Sequence, residues 1–535
     1  MITQTVGELL KEHVTLDVEC IDRIYLNAYQ PMLQTGGGVA YFFKQHRGAQ
    51  VASTVLMAPM SRDFVKRIRD FAQEQSLDWV RFKKGERKDE ITQARLKDFQ
   101  GTEGVLYIGV AQEKFSTFRV EKRFNAETGT AFPWLGRSTV MCNQYYFYLV
   151  DDDFGPLFIK FSGYFPYTAR VCLNGHEYLK CQLEKRGIGY EALDNGLLSC
   201  DQLEVAQQLA EGLDAATIER VVRKWFARLP HPFTAEDQRA GFDYQLSMLQ
   251  VEFARTQVFD RPLSGRYFFE EVIRENLDLG RPSQVSLIFD RRINRRTPGT
   301  FRTRVVTEGV TPSLHVSYKR SKIKQYFKEE RALRTETTIN NTRDVDIGRK
   351  LVNLPALREI GFKANRRLLE VETVSQDCRI GTAKFDQVTQ RCTVEGQTAA
   401  ALKFGDPRVM ALLQAIILFG LLPQGFSNAL LRGHVAELMN RQPEQYRQGQ
   451  MTYDLRRLRL HGLIERIPFT HRYRVTPDGL RVSIFFTKVN SRVLRNDLAQ
   501  MFEPATVTGT RSLGNAIRKV ERIIDEQVDH AKLAA

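Results

Sequence analysis

The sequence predicts a chain of mixed class, α/β and α+β multidomain: N-terminal α/β layers, a central basic β-rich region, and a C-terminal helical module that ends in a hairpin. Three observations predict it. Short apolar runs alternate with helix-like stretches from Leu16 to Val120, strand patterns dense in Arg and Lys run from Gln284 to Asn340, and helical patterns precede an aromatic, basic stretch after Asp406. At 535 residues the chain exceeds what one hydrophobic core organises. The expected partition is an α/β domain at 1–135, a strand-strand-helix acidic module at 136–203, and a helical plus basic strand-rich domain at 204–380. A linker at 381–404, the C-terminal module at 405–500 and a terminal helix at 501–535 follow.

A composition of 42% hydrophobic, 26% charged and 10% aromatic residues describes a folded chain. Lys+Arg 78 against Asp+Glu 63 leaves a formal charge of +15, and the pI near 9.4 favours polyanionic partners such as nucleic acid. The opening "MITQTVGELLKEHVTLD" has neither the basic head nor the apolar run of a signal peptide, so a cytoplasmic location is expected. "VMALLQAIILFGLL" falls short of the roughly 20 residues a membrane-spanning helix requires, and reads as a buried helix with no membrane partner. Seven cysteines without a CxxC pair suit a reducing compartment.

In chain order, "QTGGGVAYFF" lacks the Gly-Lys-Ser/Thr ending of a phosphate loop, so Gly36 to Gly38 read as a backbone turn. "YYFYLVDDDFGPLFIKFSGYF" reads as two strands joined at Asp, Gly and Pro turn formers. Asn174 opens a helix with Tyr178, Leu179 and Leu183 at helical spacing and Gly187 as its stop. "GYEALDNG" is a short strand and turn, and Glu204 to Met248 is predominantly helical. Cys172, His176, Cys181 and Cys200 match no common zinc spacing, and the cysteines fit as small core residues.

Asp151, Asp152 and Asp153 end a strand, a helix with Glu177 and Glu184 follows, and Asp194 comes later. This order resembles that of the RNase H-like nucleases and transposases. The resemblance implies Asp151, Asp153 and Asp194 as catalytic metal ligands, with Mg or Mn as cofactor and Glu177 or Glu184 as a further ligand. On the residues alone, the same acids also make an ordinary solvated hairpin turn.

Arg291, Arg292, Arg295, Arg296, Arg302, Arg304, Lys319, Arg320, Lys322 and Lys324 crowd a few strands and turns. Alternate strand residues share a face, so Lys322 and Lys324 project together, and Arg302 with Arg304, as a stripe suited to a phosphate backbone. Tyr318, Tyr326 and Phe327 lie among them, placed to stack on unpaired bases. An exposed sheet face kept soluble by charge is the other reading. "KQYFKEERALRTETTINN" resembles the strand pair of some plasmid and phage replication proteins, without the His-x-His pair that nicking requires.

Beyond Asp406, Leu412 to Leu422 and Ala429 to Met439 read as apolar helices. Thr452 opens a third helix, with Leu455, Leu458, Leu460 and Leu463 inward, and "HRYRVTPDGLRVSIFF" reads as a hairpin turning at "TPDG". The order resembles the winged-helix family over about Gly405 to Leu494. That resemblance places Thr452, Arg456, Arg457 and Arg459 on a groove-reading helix and Thr470, His471, Arg472 and Arg474 on a phosphate-contacting wing; a protein-docking module is the alternative. Across its length, notably at "DDDFGPLFIKFSGYFPYTARVCLNGHEYLKCQLEKRGIGYEALDNG", the chain resembles a widespread bacterial family of unassigned function, with relatives expected in mobile genetic contexts.

Together these readings predict a nucleic-acid-binding protein, DNA first and RNA second. The alternatives are a metal-dependent nuclease or transposase-like enzyme, and an assembly protein. In the last, Ile517, Val520, Ile523, Ile524 and Val528 form a stripe on a terminal helix that docks on the core or pairs with another copy.

Overall fold

The computed structural model describes residues 6–83, 85–275, 303–306, 313–329, 331–376, 380–419, 425–439, 441–442, 445–490, 522 and 526. The chain divides into two compact units, Met1–Gln376 and Asp377–Ala535. The boundaries expected at 135 and 203 therefore fall inside one unit, because a single sheet runs through all three segments. The stripe expected on the terminal helix lies outside the described residues.

The first unit is built on strands β1 (Val14–Tyr29), β2 (Trp79–Arg81), β3 (Gly104–Phe124), β4 (Ala131–Asp151), β5 (Gly155–Ser162), β6 (Ala169–Asn174), β7 (Tyr190–Leu193), β8 (Gly196–Cys200), β9 (Gln245–Phe259), β10 (Thr303–Val306), β11 (Ser313–Tyr318), β12 (Ser321–Lys328) and β13 (Ala332–Ile339). Eleven of them form one sheet in the order β10-β11-β12-β13-β9-β1-β6-β5-β4-β3-β2, and β7 and β8 form a separate hairpin. Every pairing in the large sheet is antiparallel except β2 with β3.

β1 is the central strand, and its sequence places apolar residues at every even position from Leu16 to Ala28 apart from Asp22. Strict alternation would send all of them to one face. Instead the pairing with β9 slips between Ile21 and Ile24, so that Asp22 and Arg23 together oppose a single residue. As a result Leu16, Val18 and Cys20 join a cluster with Leu179, Leu183 and Ala206. Ile24, Leu26 and Ala28 join the main core with Phe64, Phe147, Phe161 and Trp225. One bulge lets one strand serve two hydrophobic layers on opposite faces.

The main core is dense in aromatic rings set edge to face, such as Phe64 with Phe161 and Phe147 with Phe161, both 5.8 Å between centroids. The helix Leu354–Gln376 closes over β9 and β13. Gly361 permits its approach, since a Cβ there would lie 2.1 Å from the Phe253 ring. A third patch, Tyr107, Tyr146 and Tyr148, packs with Phe82 and Ile91.

At the edge of the second layer lies Arg334, which is fully buried. A guanidinium has five N–H donors, and each finds an acceptor. Nε donates to Glu336 at 3.0 Å, and one terminal nitrogen donates to the Asn195 carbonyl at 2.7 Å and Thr256 Oγ1 at 2.8 Å. The other meets His176 Nε2 at 2.8 Å and Asp22 at 3.1 Å. Because Arg only donates, His176 Nε2 must accept, which requires a neutral ring carrying its proton on Nδ1. Burial, and then the Arg334 charge, hold the His176 pKa well below its usual value. For Asp22 burial is the largest influence and raises the carboxyl, yet Arg334 and the weaker contributions of its other neighbours, the Asn195 hydrogen bond and Arg23 among them, together outweigh it and lower the carboxyl to about 2.

In the second unit the stretch expected as a linker is folded. It holds the helix Thr382–Thr389 and a hairpin of β14 (Cys392–Val394) and β15 (Gln397–Ala399), turned at Glu395 and Gly396 with φ of 49° and 73°. The helices Pro407–Phe419, Asn428–Leu438 and Gln448–Leu460 follow, with a three-stranded sheet of β16 (Phe426–Ser427), β17 (Ile464–Arg466) and β18 (Arg472–Val475) in the order β16-β18-β17. The "TPDG" stretch is not a hairpin turn: it opens the helix Pro477–Lys488. Thr476 Oγ1 accepts from Gly479 N at 2.9 Å, Pro477 stands where a helix needs no N–H donor, and Asp478 favours the helix N-terminus. The hairpin turns earlier, between Arg466 and Arg472.

Arg334→Met should destabilise the first unit by about 3–5 kcal/mol, since it leaves Asp22 buried without its cation. Chemical denaturation measures this. His176, lowered on folding, contributes stability that is complete above about pH 6.5 and declines as pH falls, by about 1.4 kcal/mol per unit. Glu372, raised to about 8 by burial, acts in the opposite sense, its stability being complete below the usual carboxylate value and lost as pH rises through about 8. Between about pH 5 and 7 the two effects oppose each other in the wild type, so denaturant melts should show stability rising more toward acid in His176→Gln than in the wild type.

Candidate nucleic-acid interface

The helix Gln448–Leu460 buries Met451, Asp454, Leu455 and Leu458. Asp454 anchors it, accepting from Arg408 at 2.6 Å and from the Tyr446 hydroxyl. On the opposite side Thr452, Arg456 and Arg459 are exposed at spacings of four and three, which brings them onto one face. The Thr452 hydroxyl accepts from Asn428 at 3.1 Å and donates to the Gln448 carbonyl at 3.0 Å. Arg456 reaches Gln397 at 3.5 Å. Arg457 has another role: it donates to the Ala400 carbonyl at 3.0 Å and to that of Ala401, tying the helix to the chain after β15. His461 reinforces the tie at the Gln387 and Ala400 carbonyls, 2.7 and 2.9 Å away.

In the hairpin, Arg474 is exposed and paired with Glu465 at 2.6 Å, while Arg472 is half-buried and donates to the Gly425 carbonyl at 2.7 Å. His471 is exposed, and the Thr470 hydroxyl closes the turn on the Ile467 carbonyl at 2.8 Å. Phe469 stands at the tip, wholly solvent-exposed.

In the first unit, Arg291, Arg292, Arg295, Arg296 and Arg302 lie outside the described residues, and Arg304 is paired with His315 in the sheet. Lys319 and Arg320 form the β11–β12 turn, held by the Asp344 carbonyl at 3.1 Å and carboxylate at 3.0 Å. Lys322, Lys324 and Tyr326 share one face of β12, with the Lys324 ammonium 4.0 Å from the Tyr326 ring centre. Tyr318 and Phe327 are buried on the other side of the turn and strand, packed as core residues, so they offer no stacking face.

The face carrying Lys322 continues across the sheet. Lys322 pairs with Thr338, Thr338 with Glu252, and beyond the β1 bulge Tyr25 pairs with Cys172 and Asn27 with Arg170. Arg23 and Arg170 are exposed and Tyr25 half-buried there, so the middle of this face meets solvent. Arg23 and Arg170 escaped the sequence reading because each is a lone cation in an apolar strand. Alternation within "ARVCLN" was the available signal for Arg170.

The acids separate. Asp151 is buried and accepts from Lys224 at 2.8 Å, Trp225 Nε1 at 2.8 Å and the backbone N–H of Asp153 at 3.0 Å. Asp153 pairs with Lys185, and exposed Asp194 lies 3.5 Å from Lys328. Glu177 pairs with Lys180 at 2.8 Å, and Glu184 accepts from the Tyr190 hydroxyl at 2.6 Å. Among the described residues the one group with ligand atoms mutually within 4.8 Å is Glu103, Asp151 and Asp152. The Lys224 ammonium bonds all three and Arg228 adds a contact to Glu103 at 2.8 Å. These carboxylates hold Lys224 above the usual lysine range although burial opposes it. In this structure the Lys224 ammonium thus stands where a cation shared by the three carboxylates would stand. Lys224 sits in "VVRKWF", where its one-turn spacing from Arg228 gave no sign of the strand end it would meet.

Cys172, His176, Cys181 and Cys200 form no such group, His176 being engaged by Arg334. Among the described residues no helix is long and apolar enough to cross a membrane. Comparison with known proteins finds no matching family model, no matching curated protein and no matching solved structure.

Asp151→Asn should lower stability by roughly 1–3 kcal/mol, because one of its two buried oxygens, each accepting two hydrogen bonds, becomes an NH2 group that faces donors, and urea denaturation of the full chain checks it. Added magnesium or manganese should leave the wild-type melting temperature unchanged.

Proposed function

We propose that the chain is a nucleic-acid-binding protein, with duplex DNA the ligand, and that its second unit works as a winged helix. The observation that carries this reading is the exposed face of Thr452, Arg456 and Arg459 on the helix Gln448–Leu460, followed directly by a short basic hairpin. An α-helix fits the major groove, and Arg can bond guanine through paired contacts. The net charge of +15 supplies the sequence-independent attraction. The open face bearing Lys322, Lys324, Arg23 and Arg170 adds a second cationic surface in the first unit.

Arg456 and Arg459 read sequence in this account, whereas Arg457 holds the helix. A preferred duplex selected from a random pool provides the probe. Arg456→Ala and Arg459→Ala should each weaken the selected duplex by about 1–3 kcal/mol and a scrambled one by less. Arg457→Ala should act chiefly on thermal stability. Equal loss on both duplexes would make these arginines phosphate contacts, and no retention of any duplex at low salt would refute the reading.

A further inference from the structure

β3 and β4 are each 21 residues long, far longer than their neighbours. β2 joins β3 only at Ile108 to Val110 and β5 joins β4 only from Gln144 to Asp151, yet β3 and β4 stay paired out to Phe124 with Ala131. The distal halves therefore pair with each other alone. Their root is anchored: Thr117 donates to the Phe165 carbonyl at 2.7 Å, and Arg137 to the Gln34 carbonyl at 2.7 Å. Beyond it every residue from 121 to 134 is exposed.

This outer part carries large rings in water, with Phe124 65%, Phe132 39% and Trp134 45% exposed. Cations lie over them, Arg123 4.6 Å from the Trp134 ring centre and Lys122 5.5 Å from that of Phe124. The pairing of Glu121 with Trp134, Lys122 with Pro133 and Arg123 with Phe132 puts Lys122 and Phe124 on one face. Arg123, Phe132 and Trp134 share the other, where Glu121 lies 3.8 Å from Arg123. Neither face is wholly apolar. Both interleave a cation with an aromatic ring.

We propose that this ribbon is a DNA-binding arm that enters a duplex groove, its cations meeting phosphates and its tip rings contacting base steps. A two-stranded ribbon fits the major groove, and aromatic side chains are among those that wedge between bases. The assignment rests on the reading of the chain as a DNA-binding protein but uses residues of the first unit alone.

The test replaces residues 121–134 with Asn-Gly, joining the paired residues Val120 and Leu135 through a two-residue turn. Trp134→Ala is measured beside it in case the shortened chain misfolds. Binding of a random-sequence duplex at low salt should weaken at least about tenfold in the shortened chain and severalfold in Trp134→Ala, with circular dichroism unchanged. Unchanged affinity in both overturns the arm alone. Loss on shortening with no effect of Arg456→Ala or Arg459→Ala keeps the arm and rejects the helix reading, whereas a wild-type chain that binds no duplex rejects both. A fall in mass by light scattering on shortening, or lost binding to anionic vesicles, with DNA affinity intact, reassigns the ribbon and also overturns the proposal.

Discussion

The buried guanidinium of Arg334 is the constraint around which the first unit is arranged. Its acceptors come from β1, the helix after β6, the β7–β8 turn, β9 and β13. Asn195 extends the network to Asn174 at 3.0 Å, whose side chain in turn caps the helix Gly175–Lys185. A charged group at full burial is tolerable only with every donor met. The network therefore specifies where the outer layer seats on the sheet, while the apolar cluster of Leu179, Leu183 and Val258 provides the attraction.

The β1 bulge works together with this network. It presents Asp22 to Arg334 and turns Arg23 toward solvent, so one irregularity supplies both an internal counter-ion and a surface cation. Beyond the covered patches the same sheet face stays open and polar. Antiparallel sheets tolerate one solvated face, and a large one yields a broad surface on which cations from distant segments gather. Lys322 and Arg170 are far apart in sequence yet lie on one face.

Legibility followed locality. The Asn174 cap, the Gly187 stop, the "DDDFGP" turn and the shared face of Lys322 and Lys324 were readable because each rests on neighbours a few residues away. "TPDG" misled because Pro-Asp-Gly serves equally in a turn and at a helix start, and the apolar Leu480, Val482 and Phe486 that decide between them come afterwards. The linker reading failed at Gly396, which marks a tight turn within a folded hairpin. Of the candidate site, the exposed Thr452, Arg456 and Arg459 were legible from helical spacing. Arg457 was not separable from them, since its acceptors at Ala400 and Ala401 lie more than fifty residues earlier. The partner of the acids around Asp151 was not legible, because Lys224, the cation they share, is distant in sequence.

The central claim is that this chain engages DNA through the face of the helix Gln448–Leu460 and the ribbon at 121–134, and not through its acids. Amide hydrogen exchange on the full chain, with and without saturating duplex, tests it most directly. The account predicts slowed exchange in that helix, the adjoining hairpin and the ribbon, with the strand end at Asp151 unchanged. Protection centred on Glu103, Asp151 and Lys224, or no change at the helix and ribbon under conditions where the duplex is bound, would contradict it.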